Sequence, residues 1–577
     1  MNRGALLSLD VISARGLTQR SSSLQIHILY RNQLLRSPAI EWIDEDPVFN
    51  LNFPLSVGLH GEEDPTILLY VSTAEHGNGS SSFLERKGKL LATAMVDYRV
   101  ADAYPADFIS VELLPCVDGD GIGDGVVHSG GLIFLRVSRS QQSVNIANNP
   151  PEEAIAIITK RQEDLLRCQR EFIHTSRQWW SNCQRKYPFL QERNIKLIAK
   201  DECGHFRFVG SFINPMKSPR SLINPRFAAR YVSLLPLKRD LNMTGIPDEA
   251  WHCPHAFLSR MEGNVEDHAL LLCNLLLGWG LDAWVATGTI YSAPKQGKGG
   301  GKSTSVNIRP HSWVVTIDKV DVTNSKVTLW ETLTGSQYEI DYSGAHSVKD
   351  PDNIPAHHFH EIHTLFKHDS YLFNVQPNSQ VPNPRRGGSH HEHSVTSFDL
   401  TNPKFWLPMP LVSKSDLKLL RHPGSVLSLP EIDHLKDWGA LEFELENELK
   451  LRILDWRKEN SLETAYDSNL EQIVHSALLA YEWDRAVGVT FGNADFQAAV
   501  RRYVKRGEYF KGYPTCFSHR DPMKIMQTLR ASSACKDVCL LKDLNCRLGI
   551  RVKIVPYPSD TMSVWIMIAA CAEKEDA

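Results

Sequence analysis

Hydrophobic and polar residues alternate in short runs along the first part of the chain, as in β-strands that bury one face. Turn-forming residues separate the runs, which recur at the spacing of a β-sandwich. The runs cover 5–14, 23–30, 48–53, 66–71, 89–94 and 131–137. This pattern predicts an all-β sandwich domain over residues 1–145.

After this region the hydrophobic period changes from that of a strand to that of a helix. Residues 151–185 begin with proline and two glutamates, which favour a helix start, and then repeat apolar positions at helical spacing. We predict a connecting helix here. Its tryptophan pair, Trp179 and Trp180, is interpreted as a packing anchor between domains.

Helical and strand patterns mix over residues 186–375, which predicts an α+β domain. A strongly apolar helix is expected to begin near residue 265 and to end at Gly278, before a strand over 282–287. Two more strands follow, one that begins with His311 and one that ends with Glu331. This order of helix, strand, histidine strand and carboxylate strand resembles papain-like and transglutaminase-like cores.

The start of the apolar helix is where such a core carries its nucleophile. A cysteine there has a lowered pKa because the helix dipole and a neighbouring histidine stabilise the thiolate. This chain has Val265 at that position. Since loss of one triad member lowers the rate by several orders of magnitude, we predict no catalytic residue and a degenerate triad of Val265, His311 and Glu331.

Cys253 offers the alternative of an unconventional thiol or a metal ligand. It precedes the helix and lies between His252 and His255, whereas Cys273 is interpreted as a small buried hydrophobe inside the helix. Cys253 falls outside the helix-terminal geometry that activates a papain-type cysteine. A residual cysteine hydrolase acting through Cys253 is therefore the second hypothesis, behind an inactive site.

The composition changes again after residue 375. Residues 376–396 are rich in Pro, Gly, Ser and His, which predicts a flexible linker. Residues 397–577 combine amphipathic helical patterns with strand-like runs at 548–555 and 563–569, which predicts a C-terminal α+β region.

The N-terminal sandwich carries two features of a particular β-fold: a capped first strand at Ala14–Leu17, and residues 42–50 leading into a strand. In these it resembles a C2 domain. In calcium-binding C2 domains, several carboxylates from the tip loops point at the ion. Asp44 and Asp46 alone are too few to hold calcium. We predict a protein-docking sandwich without calcium, and a membrane-docking C2 module is the third hypothesis. The predicted fold class is thus multidomain: an all-β C2 sandwich, an α+β transglutaminase- or papain-like core and a C-terminal α+β region.

Two patterns that suggest ligand binding are interpreted otherwise. Residues 295–304 resemble a phosphate-binding loop, but Gln296 stands where the motif requires glycine, so a flexible basic insertion is predicted. Histidines cluster at 357–363 and again at 390–393 without supporting cysteines or aspartates. We therefore predict no structural metal and no cofactor.

Charge and cysteine usage narrow the classes of protein further. The chain has 577 residues and a formal net charge of −4, which gives no reason to expect nucleic acid as a partner. Its 11 cysteines lack CxxC spacing, as in proteins of reducing compartments. The start of the chain lacks a signal-peptide pattern, and no apolar run approaches the roughly 20 residues of a membrane helix. We expect a soluble protein of the cytoplasm without stable membrane insertion.

Several longer stretches, spread over almost the whole chain, are more specific than any single motif. They are 29–37, 176–180, 228–232, 266–278, 311–316, 330–335, 476–482, 492–497 and 564–567. Together they resemble the centrosomal protein of 76 kDa family. The resemblance implies a C2 domain before an inactive transglutaminase-like peptidase fold. The family pattern Gly-Asp-Cys-Glu-Asp-His differs here, because Asn264 and Val265 replace the Asp and the Cys.

The resemblance also implies residence at centrioles or basal bodies and a role in limiting centriole re-duplication. The predicted function is a non-catalytic scaffold of the cytoskeleton at the centrosome. Its expected partners are centrosomal and centriolar proteins, which would bind the degenerate cleft and the C2 face.

Overall fold

A computed structural model of the chain forms two compact units. It describes residues 5–17, 23–30, 33–42, 46–57, 66–73, 75–76, 85–86, 90–98, 108–115, 131–139, 151–193, 195–202, 206–238, 250–292, 307–320, 324–343, 348–349, 355–376, 379–382, 399–409, 420, 429, 431–432, 436–487, 494–543 and 545–573. The larger unit comprises Met1–Ser218, Leu237–Thr332 and Gln337–Ser428, and the smaller unit comprises Pro219–Pro236, Leu333–Ser336 and Leu429–Ala577. The phosphate-loop-like stretch, the second histidine cluster and most of the predicted linker lie outside the described residues.

The N-terminal part of the larger unit is a β-sandwich, which confirms the predicted all-β class. Its strands are β1 (Ala5–Arg15), β2 (Ser23–Tyr30), β3 (Gln33–Arg36), β4 (Ile40–Glu41), β5 (Val48–Val57), β6 (Thr66–Thr73), β7 (Glu75–His76), β8 (Glu85–Arg86), β9 (Leu90–Asp97), β10 (Ile109–Glu112), β11 (Leu114–Pro115) and β12 (Leu132–Arg139). One sheet has the order β10-β12-β1-β5, and the other has the order β11-β9-β6-β2-β3 with β4 beside β2. Strand β12 shows the expected alternation, because Ile133, Leu135 and Val137 are buried while their neighbours are not.

The middle of the larger unit is α+β. Its helices are α1 (Pro151–Lys186), α3 (Pro254–Arg260) and α4 (Val265–Gly278), while α2 (Pro225–Leu234) belongs to the smaller unit. Its strands are β13 (Ile198–Lys200), β14 (Phe206–Phe208), β15 (Ala283–Ser292), β16 (Asn307–Lys319), β17 (Ser325–Trp330), β18 (Gln337–Tyr342), β19 (Phe359–Lys367), β20 (Ser370–Asn374) and β21 (Trp406–Pro408). Strands β15 to β21 form one antiparallel sheet in the order β18-β17-β16-β15-β19-β20-β21.

Helix α4 packs on this sheet against β15 and β16. Residues 267–276 are all buried, so the helix is enclosed on every side rather than along one stripe. An all-round apolar sequence is what such a position requires. At the end of α1, the rings of Trp179 and Trp180 lie 4.8 and 5.1 Å from that of Phe373 on β20.

The two parts of the larger unit share a buried contact through strands β2 and β6. The ring of Tyr70 lies 4.1 Å from that of His255 on α3, and its hydroxyl is 3.4 Å from Cys253 Sγ. His27 lies beside Ser72 at 2.9 Å, and burial together with the charge of Arg36 lowers the pKa of His27 to about 3. The outward face of the sheet that contains β2 and β6 is therefore packed at these positions, whereas a free sandwich would leave it in water.

The smaller unit is α+β, as predicted for the C-terminal region. Its elements are α5 (Trp438–Glu459), β22 (Ala465–Tyr466), α6 (Ser468–Val487), α7 (Ala494–Tyr503), β23 (Glu508–Phe517), α8 (Pro522–Ala531), α9 (Ser533–Cys539), β24 (Arg547–Pro556) and β25 (Met562–Glu573), together with α2. The sheet order is β22-β24-β25-β23. Residues 219–236 and 333–336 join this unit although the sequence places them inside the predicted 186–375 domain.

A buried ion pair joins α2 to the rest of the smaller unit. Arg230 donates from Nε and Nη2 to the two carboxylate oxygens of Glu482 at 2.9 and 3.0 Å. Tyr557 and Ser563 each donate to the same carboxylate at 2.6 Å, and Trp565 Nε1 donates to it as well. Burial alone would raise the pKa of Glu482, but the guanidinium and the hydroxyl donors outweigh it and hold that pKa below its ordinary value.

Among the helices that the structure describes, none combines the length and the apolar character that crossing a bilayer requires.

Candidate functional site

The start of helix α4 is fixed by a reciprocal capping box. Asn264 accepts a hydrogen bond from the Asp267 amide at 2.9 Å, and Asp267 Oδ2 accepts one from the Asn264 amide at 2.9 Å. Each side chain thereby satisfies an amide that the helix leaves without a carbonyl partner. Asn264 thus has a structural role at the start of the helix.

Val265 is the first residue of α4 and is half-buried. Its side chain has no lone pair and no acidic proton, so the helix dipole has no nucleophile to activate. The next residue, Glu266, is also half-buried and accepts a hydrogen bond from Ser312 Oγ at 3.4 Å. Burial raises the pKa of Glu266.

Asp267 also stabilises the start of α4 through hydrogen bonds to His252, which precedes the helix in the chain. Its Oδ1 accepts from the backbone amide of His252 at 2.8 Å, and its Oδ2 lies 2.8 Å from His252 Nδ1. Burial would raise the pKa of Asp267, but the positive charge and hydrogen bonds of His252 outweigh it and lower that pKa. The carboxylate therefore binds two backbone amides and the ring of one buried histidine.

His311, Glu331 and His358 form a compact cluster on the sheet. His311 lies on β16, Glu331 directly follows β17, and His358 directly precedes β19. His311 Nε2 lies 2.9 Å from Glu331 Oε2 and 3.2 Å from Oε1, while His358 Nε2 lies 2.6 Å from Oε2. Both histidines therefore converge on a single carboxylate.

The electrostatics of the cluster centre on Glu331, whose side chain is 3% exposed. Burial alone would raise its pKa, but hydrogen bonds and charge from His311 and His358 lower the pKa to about 2. The carboxylate is thus an anion at neutral pH. The sequence predicts His311 and Glu331 as positions of one degenerate triad, whereas it does not predict that His358 joins them.

Cys253 is placed as a structural residue. It caps the short helix α3, where its Sγ accepts from the Ala256 amide at 3.3 Å. The same thiol donates to Glu202 Oε1 at 2.8 Å. Full burial and the Glu202 carboxylate raise the pKa of Cys253 well above its ordinary value, which suppresses the nucleophilic thiolate. Cys273 is also fully buried, and its pKa is raised for the same first reason.

Alkylation of the native protein at pH 7 is expected to leave Cys253 at least about tenfold slower to react than in the unfolded chain. Peptide mass spectrometry after iodoacetamide treatment measures this, with half-buried Cys516 as the internal reference. Faster alkylation of Cys253 in the folded protein than in the unfolded one would support the cysteine hydrolase hypothesis instead.

Two aspartates, Asp44 and Asp46, are the carboxylates that the sequence offers for calcium in the N-terminal sandwich. Asp44 is outside the described residues, and Asp46 makes an ion pair with Arg15 at 3.7 Å. One carboxylate supplies at most two of the six to eight oxygens that a calcium ion needs.

Comparisons with known proteins point to one family. The family models "CEP76 peptidase-like domain" and "Centrosomal protein of 76 kDa C-terminal domain" match residues 249–409 and 435–573. The human protein named centrosomal protein of 76 kDa is 30% identical over 96% of this chain and 79% of its own length. The zebrafish (Danio rerio) protein of that name gives the same three figures, and the Xenopus tropicalis one is 34% identical over 70% of this chain and 56% of its own length. Among solved structures, a C2 domain of plant extended synaptotagmin 1 covers 25% of this chain and 100% of that domain at 12% identity and a TM-score of 0.17, too low to carry an argument.

Proposed function

Because the chain belongs to the centrosomal protein of 76 kDa family and is thus a centrosomal protein, we propose that it acts there as a non-catalytic scaffold for other proteins. The observation that carries this proposal is Val265 at the first position of α4. A thiolate at this position is the one group that the transglutaminase-like chemistry cannot do without. The surface at the start of α4 then binds other proteins without catalysing a reaction.

Three further observations support a binding role. The capping box around Asn264 and Asp267 holds the helix start in place without a catalytic group. His311 and His358 both contact the Glu331 carboxylate, so the histidine–carboxylate pair is kept although Val265 supplies no nucleophile beside it. Cys253, which carries the hydrolase alternative, is fully buried and bonded to Glu202.

The proposed site of action is the centriole or basal body in the cytoplasm. By family resemblance, the proposed outcome of partner binding is restraint of centriole re-duplication. The partners are other centrosomal and centriolar proteins, and the half-buried surface around Val265 and Glu266 is one face that contacts them.

Filling this face should block binding without touching any chemistry. In cells that lack the endogenous protein, Val265→Trp is expected to reduce the recovery of centrosomal partners by proximity labelling at least about tenfold, as for a bulky group placed in an interface core. Val320→Trp is the matched control, because Val320 follows the far end of β16 and is 65% exposed. An unchanged partner set for Val265→Trp, in a protein with normal circular dichroism, would contradict the cleft-binding proposal.

A further inference from the structure

We propose that His311, Glu331 and His358 bind a transition-metal dication, with zinc as the best-fitting ion. The nitrogen and oxygen ligand atoms of these three side chains all lie within 4.8 Å of one another. Two imidazoles and one carboxylate are a ligand set that zinc takes in proteins, with a fourth position left to water. Imidazole ligands also favour zinc over calcium and magnesium, which prefer oxygen.

The distances between the ligand atoms are close to those that a zinc ion needs. Zinc–ligand bonds of about 2.0–2.2 Å in a tetrahedron place neighbouring ligand atoms roughly 3.3 Å apart. Here the nitrogen–oxygen distances are 2.6, 2.9 and 3.2 Å. Entry of the ion thus needs each nitrogen–oxygen pair to separate by up to about 0.7 Å. The His358 side chain, which is 31% exposed, has room to move.

The origin of the three ligands argues that the site is built into the fold. Strand β16 fixes His311, the residue after β17 is Glu331, and the residue before β19 is His358. His311 lies within this antiparallel sheet, and Glu331 and His358 are each the residue next to one of its strands. The His358 carbonyl accepts a hydrogen bond from the Tyr291 amide on β15 at 2.8 Å, which ties His358 to the sheet as well. His311 and Glu331 are almost completely buried, which lowers the local dielectric constant and strengthens their attraction for a cation.

The second histidine separates this cluster from an ordinary histidine–carboxylate pair. An orienting carboxylate needs one imidazole, as at Glu361, where His363 Nε2 lies 3.2 Å from Oε2. At Glu331 two Nε2 atoms converge on the same oxygen, Oε2. A shared cation satisfies both nitrogen lone pairs and the carboxylate at once.

The inferred ion has a structural consequence. It ties β16, the end of β17 and the start of β19 together beside the helix start, and binding to the folded state alone stabilises that state. No hydrolytic step is part of this inference. It stands apart from the proposed scaffold function, since the site either holds zinc or does not, whichever partners the cleft binds.

Zinc binding by the purified full chain tests the inference. After dialysis against a chelator and then against buffered zinc, we expect the wild type to bind zinc at this site with about one ion per chain. His358→Gln and Glu331→Gln should each weaken the zinc affinity at least about 100-fold, because even changes outside the ligand set weaken metal sites about 10–100-fold. His363→Gln is the matched control on the same sheet and should bind zinc as the wild type does.

Two more measurements keep the test decisive if a variant is unstable or if a cysteine binds zinc. Zinc should raise the melting temperature of the wild type and of His363→Gln but not that of His358→Gln. Cobalt in the site should show visible bands without a thiolate charge-transfer band. Zinc binding that is absent from the wild type, unchanged in His358→Gln, or accompanied by that thiolate band would overturn the inference.

Discussion

Glu482→Gln is expected to destabilise the smaller unit by about 3–5 kcal/mol, the effect of removing one partner from a buried ion pair. Glutamine keeps the shape of the side chain but leaves the Arg230 guanidinium buried without a counter-charge. It also turns one acceptor oxygen into a donor amide, facing Tyr557, Ser563 or Trp565. Hydrogen exchange by mass spectrometry on the full chain measures the loss as faster exchange of β24 and β25 amides.

The matched control is Glu448→Gln on α5. Glu448 pairs with Arg452 at 2.6 Å, but its side chain is 41% exposed, so its loss should change stability by less than about 1 kcal/mol. Equal losses of stability for the two substitutions would show that burial does not increase the contribution of the Arg230–Glu482 pair to stability.

The same residue gives the smaller unit a pH dependence of known sign. The folded-state pKa of Glu482 lies below the ordinary value of 4.5. Its contribution is therefore complete above pH 4.5 and is lost as the pH falls through the folded-state pKa. The wild type should lose stability on acidification over that window, and Glu482→Gln should lose less.

Asp267→Ala is expected to destabilise the larger unit by at least about 3 kcal/mol. The substitution leaves two backbone amides, those of His252 and Asn264, without their acceptor, and it removes the charge beside the His252 ring. Urea unfolding of the full chain, with exchange of the α4 amides as the local readout, measures the effect.

Asn264→Ala is the comparison for Asp267→Ala. It removes a helix cap and should cost about 1 kcal/mol. If Asp267→Ala were as mild as Asn264→Ala, the carboxylate would be free for a role other than support of the helix start.

The fold was predictable wherever burial alternates or encloses an element completely. Strand β12 and helix α4 are of this kind, because side-chain burial alone decides their pattern. Strand β23 was not predicted as a strand. Its residues are only half-buried or exposed, and they include Gly512 and Pro514, which strands disfavour. The backbone pairing of β23 with β25 holds it as a strand, although its own sequence does not favour one.

The candidate site was predictable only as far as chain order determines it. Val265, His311 and Glu331 follow from the sequence of helix and strands. His358 does not follow from chain order. Strand β19 comes after the edge strand β18 in the chain but pairs with β15 on the other side of β16 and β17, and this pairing brings His358, the residue before β19, to Glu331. Likewise, the partners of Cys253 come from Glu202 and Tyr70, which lie far from it in sequence.

We propose that this protein acts through its surfaces and not through a nucleophile. The most direct measurement is the number of centrioles per cell when Val265→Cys replaces the endogenous protein. The substitution restores a thiol at the start of α4, and we predict that the centriole count and the centrosomal localisation both stay at wild-type levels. A changed centriole count in cells with normal levels of the variant would contradict the claim, because the outcome would then depend on chemistry at residue 265.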